Sequence, residues 1–184
     1  YGTTTYLLAG QLVEEITGNP VHEELEARVL GPLGMENTFL PPVQQPPVPV
    51  VSGYYDLTGS GEETAKVTAL PQAAIQSLGW TGGGLESQAT DVLKLLPGII
   101  DGGLLTDDSL DEMTTLVHDT DYGLGVNVGE IAGQAAYFHG GGVPGFRTKH
   151  AYFPDSGVAV ALLSNASGPD VDAMMERVAK LVFG

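Results

Sequence analysis

Apolar positions recur with a helical period in several separate segments of the first two thirds of the chain, alternate from about residue 122, and return to a helical period over 169–183. Leu8, Leu12 and Ile16 fall at i, i+4 and i+8, which predicts a helix over 4–17 stopped by Gly18 and Pro20. Asn19-Pro20 then supplies an N-cap and a first-turn proline for a second helix. Its Val21, Leu25 and Val29 share a face, Glu23 and Glu24 suit its positive end, and Gly31-Pro32 stops it.

The tract 41–50, PPVQQPPVPV, holds five prolines, which lack amide donors and favour an extended surface connection. Turn formers in SGYYDLTGSGEE and TGGG punctuate the next stretch, and Ser87 reads as the N-cap of a helix carrying Ala89, Val92, Leu93 and Leu96. A short helix is expected at 108–117. Strands are expected at 122–130, 134–139, 146–153 and 157–164, separated by glycine-rich or Pro-Asp-Ser-Gly turns, as in an antiparallel meander. The closing segment 169–183 predicts an amphipathic helix with Val171, Met174 or Met175, Val178 and Val182 on its stripe, Asp170 and Asp172 at its start and Lys180 near its end.

Composition narrows the function classes. A length of 184 residues predicts one domain. Seven basic against 23 acidic residues give a formal charge of −16, a field that repels phosphate backbones and anionic lipid, and the lysines (Lys66, Lys94, Lys149, Lys180) do not cluster. Nucleic acid is therefore not an expected partner. The chain has no cysteine, which removes disulfides, thiolate metal sites and a cysteine nucleophile, and leaves secreted and cytoplasmic locations both open. No apolar run approaches a membrane span. The chain opens on Tyr1-Gly2-Thr3, without a start methionine or signal region, so a preceding segment is expected.

Two candidate chemistries emerge from the residues. His118, Asp119 and Asp121 lie together in HDTDYG, but a calcium loop needs more oxygens and a late glutamate, so a solvated loop is the expected role. Eight serines occur; none lies in Gly-x-Ser-x-Gly and none has a lysine three residues later. Gly82 to Gly84 read as a tight turn, since no Gly-Lys-Ser/Thr comes after them to hold phosphate.

Five blocks in order, YGTTTYLLAGQLVEEITGNP, GPLGMENT, GGLESQATDVLKL, YGLGV and HGGGVPGF…YFPDSGVAVALLSN, span essentially the whole chain. Together they resemble the second half of the serine β-lactamase-like family, which includes class C β-lactamases, D-alanyl-D-alanine carboxypeptidases, D-aminopeptidases and related esterases. The resemblance implies an α/β fold of the α+β type: an antiparallel sheet flanked by helices plus a mainly helical subdomain, incomplete at the N-terminus. About 1–120 would be the helical and loop part, and 121–184 the antiparallel strands and C-terminal helix.

The family chemistry uses a serine from an upstream Ser-x-x-Lys helix, a Tyr-x-Asn tyrosine that moves the proton, and a Lys/His-x-Gly strand that closes the site. By resemblance Tyr1 is that tyrosine, Thr3 stands where the asparagine would be, and His139-Gly140-Gly141 is the strand. Gly142 would contribute a backbone N–H to the oxyanion hole. Thr3, Gly140 and Gly141 are then substrate-binding, the substrate a small ester or D-amino-acid amide or peptide, and no cofactor or metal is needed. Thr3 weakens the case for β-lactamase activity in particular, because a hydroxyl replaces an amide that both donates and accepts.

The expected partner is the missing N-terminal segment of the same protein or a companion chain, with a homo-oligomer as another way to cover exposed apolar surface. Family resemblance favours a periplasmic or extracellular location. The rival readings are a non-catalytic domain kept for binding or assembly, and a metal-dependent hydrolase using His118, Asp119 and Asp121.

Overall fold

In a computed structural model describing residues 1–47, 49–56, 65–67, 76–77, 79–118 and 120–184, the alternating segment folds as a four-stranded antiparallel sheet in simple chain order. Its strands are β3 (Asn127–Ile131), β4 (Gln134–Val143), β5 (Phe146–Phe153) and β6 (Val158–Ser164), while β1 (Tyr54–Tyr55) and β2 (Ala65–Lys66) form a separate small ribbon. The helices are α1 (Thr3–Thr17), α2 (Val21–Leu25), α3 (Ala89–Ile100), α4 (Asp107–Thr114) and α5 (Val171–Phe183).

Alternation along the strands divides the core into two layers. Ala136, Ala151 and Phe153 pack with Met175 and Ala179 of α5 on one face. Tyr152 packs with Leu96 of α3 and with Val126 on the other, joined by Tyr137 and Met113. The sheet is thus covered on both sides, and Lys149 of β5 reaches Asp172 of α5 at 2.7 Å.

Several boundaries differ from the sequence expectation. The strand expected at 122–130 begins only at Asn127, because Gly125 takes φ 85° and the segment before it folds back, with Gly123 N–H donating to the Val126 carbonyl. The strand expected to end at 139 runs on to Val143, since Gly140, Gly141 and Gly142 pair with Lys149, Thr148 and Arg147. Glycine that reads as a breaker is held extended here by its neighbour strand. Helix α4 covers Asp107–Thr114 rather than 108–117, and Thr106 caps it by accepting from the Ser109 N–H.

Ser87 is not the N-cap of α3. Gln88 occupies that position without a side-chain bond, and the Ser87 hydroxyl instead meets Thr38 Oγ1 at 2.7 Å. Thr38 in turn donates to Asp91, which is buried and also accepts from the Asn37 N–H, so the polar residues at this helix start tie α3 to the 36–39 loop. Asn19 likewise turns to Glu24 rather than capping α2, which continues as a π-helical turn over Glu26–Leu30. The apolar stripe of α1 does not face the sheet: Leu8, Leu12 and Ile16 are exposed, and Gly10 is the buried residue, against Thr81. The turn formers at 57–64 lie outside the described residues.

Candidate active site

The turn joining β4 to β5 sets the geometry of the site. Pro144 and Gly145 form a two-residue connection, Gly145 taking φ 84°, so Val143 and Phe146 close the ladder as a hydrogen-bonded pair. Pairs alternate from there, which makes Gly142–Arg147 a non-hydrogen-bonded pair and directs the Gly142 N–H away from β5. On that side β3 has already ended, at the Asn127–Phe138 pair. The Gly142 amide therefore points along a strand edge that β3 does not cover.

His139 lies three residues back, and its side chain shares the α3 face of the sheet with Tyr137. The Tyr122 hydroxyl sits 3.0 Å from His139 Nε2, and the Tyr6 hydroxyl of α1 is 2.8 Å from that of Tyr122. Tyr1 completes the group: its ring centroid is 5.3 Å from Tyr122, edge-on, 5.6 Å from Tyr6 and 6.4 Å from His139. Residues 138 positions apart are thus brought together by α1 docking beside the open end of β4.

Electrostatics follows from burial. Desolvation lowers the His139 pKa, opposed by a hydrogen bond to the Gly140 backbone and reinforced by the Lys149 charge. His150, directly opposite His139 on β5, is pushed down to about 4 by burial, then by His139 and Lys149. Tyr122 is raised well above the usual phenol range, by burial first and by Tyr6 and Tyr1 next. At neutral pH the site therefore presents neutral imidazoles and a neutral Tyr122 phenol.

Of the six residues the sequence points to, Tyr1 and His139 come into one cluster, and Gly140, Gly141 and Gly142 line the strand edge beside it. Thr3 is exposed in the first turn of α1, where an added Cβ on Gly82 would lie 2.6 Å from its methyl. The metal alternative gains no geometry: Asp119 lies outside the described residues, and no group of three or more ligating side chains occurs among the described ones.

Sequence reasoning does not single out Tyr6 or Tyr122, and it reads His150 only as a residue on a sheet face, where β5 places it. A signal for His150 exists in the Pro144-Gly145 turn, because His139 stands five residues before it and His150 five after, the register of a tight hairpin. No sequence signal pairs Tyr6 with Tyr122.

The architecture is that of the penicillin-binding and D-amino-acid amidase folds. It superimposes on the D-amino acid amidase of Ochrobactrum anthropi SV3 with a TM-score of 0.82 at 21% identity, over 99% of this chain and 57% of that one. The D-stereospecific amidohydrolase of a Streptomyces species gives 0.82 at 27% identity, over 97% of this chain and 53% of that one. In sequence, the Bacillus subtilis (strain 168) protein PbpX, named among penicillin-binding proteins, is 25% identical over 166 residues, 90% of this chain and 39% of PbpX. The family model described as Beta-lactamase matches residues 1–183, and the chain belongs to that family. It spans little more than half of the two solved relatives and about two fifths of the curated one.

Proposed function

We propose that this chain is the C-terminal portion of a serine hydrolase that works through a covalent acyl-enzyme on an ester or a D-amino-acid amide or peptide. The nucleophile is a Ser-x-x-Lys serine from a segment not contained in these residues, since none of the eight serines has the required lysine. The observation that carries the reading is the convergence of Tyr1, Tyr122 and His139 beside the outward-directed Gly142 amide.

In this reading the serine oxygen attacks the substrate carbonyl carbon as its proton passes to the Tyr1 oxygen, which hands its own hydroxyl proton to the lysine amine of the Ser-x-x-Lys segment, the source from which the leaving group is later protonated. The Gly142 N–H donates to the developing oxyanion, and glycine backbone lets the strand edge approach it closely. Collapse expels the alcohol or amine, which takes up the proton, and water then cleaves the acyl-serine ester to release the acid and restore the serine. Gly140 and Gly141 leave room for the acyl chain, and Thr3 offers a hydroxyl near the start of α1. The likeness to a D-stereospecific amidohydrolase at 27% identity supports the D-amino-acid substrate class.

The test is turnover of a chromogenic ester and a D-amino-acid anilide by the full-length protein, with an acyl-enzyme burst. His139→Ala and Tyr1→Phe should each lower kcat by about 100-fold. Unchanged rates in both variants overturn the assignment, and absence of turnover in the full-length protein favours a non-catalytic binding or assembly domain.

A further inference from the structure

We propose that Tyr122 is a positioning residue for His139: its hydroxyl holds the imidazole in one tautomer and one tilt, with the Tyr6 hydroxyl closing the chain behind it. The inference rests on reading His139 as part of the acyl-transfer site.

The brace is needed because of what surrounds the ring. His139 is followed by Gly140, Gly141 and Gly142, so the next position of β4 on its own face, Gly141, offers no side chain to pack the imidazole. Tyr1 is 90% exposed and contacts the ring only at a 6.4 Å centroid distance, as does His150 from the opposite strand. The hydroxyl at 3.0 Å from Nε2 is the directional contact in that set.

Tyr122 is itself fixed by its backbone. Its carbonyl accepts from the Val117 N–H, the flanking Asp121 carbonyl accepts from Val128 N–H, and Leu124 N–H donates to the Met113 carbonyl. Gly123 cannot carry a side chain there, since a Cβ would collide with the Met113 carbonyl. The loop between α4 and β3 thus delivers one hydroxyl to a set place.

Hydrogen direction follows from the groups available. The Gly140 backbone favours the charged ring, as an acceptor of a ring N–H does, so in this proposal the N–H of neutral His139 faces Gly140 and Nε2 turns its lone pair to Tyr122. The Tyr122 O–H then donates to Nε2, and its oxygen accepts from the Tyr6 O–H. A ring rotated by half a turn would set a C–H against the Tyr122 oxygen and lose the bond. The chain therefore links helix α1, which carries Tyr1 just before its start, to the strand edge that carries His139.

The experiment compares wild type, Tyr122→Phe and Tyr6→Phe in the full-length protein. Tyr122→Phe should lower kcat about 10-fold or more with KM within about 2-fold, and should change the His139 ring-nitrogen NMR pattern from one tautomer to a mixture. Tyr6→Phe should move both readouts in the same direction by less, and its spectrum decides the matter if Tyr122→Phe does not fold. In a His139→Ala background, Tyr122→Phe should add no further loss of rate.

An unchanged kcat and ring spectrum in Tyr122→Phe overturns the proposal, as does a rate loss that persists undiminished in His139→Ala. If wild type shows no turnover, the hydrolase reading fails while the ring-nitrogen spectra still decide the positioning role.

Discussion

His139 and His150 stand directly opposite each other on β4 and β5, their ring centroids 6.4 Å apart on the α3 face of the sheet. Two imidazoles that close, each partly out of water and near Lys149, cannot both take a proton cheaply. His150, the more strongly affected, is neutral down to about 4 against an ordinary value of 6.5.

The pH dependence of stability follows in sign. Between pH 6.5 and about 4 the unfolded chain binds a proton at His150 that the folded chain refuses, so stability falls as pH falls through that window. The loss reaches up to about 3 kcal/mol. Carboxylates held low by their partners, including Asp91, Glu24 and Glu176, lose their contribution only as pH drops below their ordinary values of 3.8 and 4.5. Urea midpoints measured from pH 7 to pH 4.5 should decline in wild type and stay flatter in His150→Leu; a flat wild-type profile contradicts the assignment.

Asp91 should be among the most sensitive polar positions. It is 1% exposed; burial alone would raise its pKa, but the Asn37 N–H, Lys94 and Thr38 outweigh that and hold the carboxyl low. Asp91→Ala leaves the Asn37 amide and the Thr38 hydroxyl without their acceptor, a loss of about 3 kcal/mol by chemical denaturation. Tyr152→Phe, which removes a hydroxyl bonded to the exposed Asp101, should cost about 1 kcal/mol or less. Equal losses in the two variants would show that burial of the carboxylate is not what matters.

Two glycines of the β4–β5 hairpin should respond differently to alanine. At Gly142 the added Cβ would lie 2.7 Å from Arg147 Nη1, the end of a flexible side chain that can swing aside, and the amide hydrogen is retained. Gly142→Ala should fold normally and keep kcat within about 5-fold. At Gly145, φ is 84° and the new methyl would strike Val67 and the Gly53 backbone, so Gly145→Ala should lose about 2 kcal/mol of stability. Thermal unfolding of both variants, with ester turnover for the first, checks the contrast.

Removing divalent metal should leave the proposed reaction untouched, because acyl transfer to serine uses an amide donor and a phenol where a metal hydrolase uses a Lewis acid. Ester turnover before and after chelation measures this, and a loss restored by added zinc or calcium would return attention to His118 and Asp121.

Local patterning in the sequence was enough for the main helices and the four strands of the sheet, while the candidate site was read by resemblance. Period-two alternation after 122 and the Pro144-Gly145 and Pro-Asp-Ser-Gly turns specify the hairpins, because side-chain period and turn chemistry are properties of a few adjacent residues. Tyr1, Thr3, His139 and the three glycines were legible by resemblance. The extension of β4 through 140–142 was not, since glycine has no side chain to declare a strand and only pairing with β5 holds it extended.

By itself, then, the sequence determined the main helical and strand segments, to within a few residues at their ends, and the acidic, cysteine-free character of the chain. Tertiary structure alone decided that Ser87 joins Thr38 instead of capping α3, that the stripe of α1 stays exposed, and that Tyr6 and Tyr122 meet at His139. The physical reason is separation: Tyr6 and Tyr122 are 116 residues apart, and no local periodicity encodes which hydroxyl of α1 will face which loop once both pack beside the same strand edge.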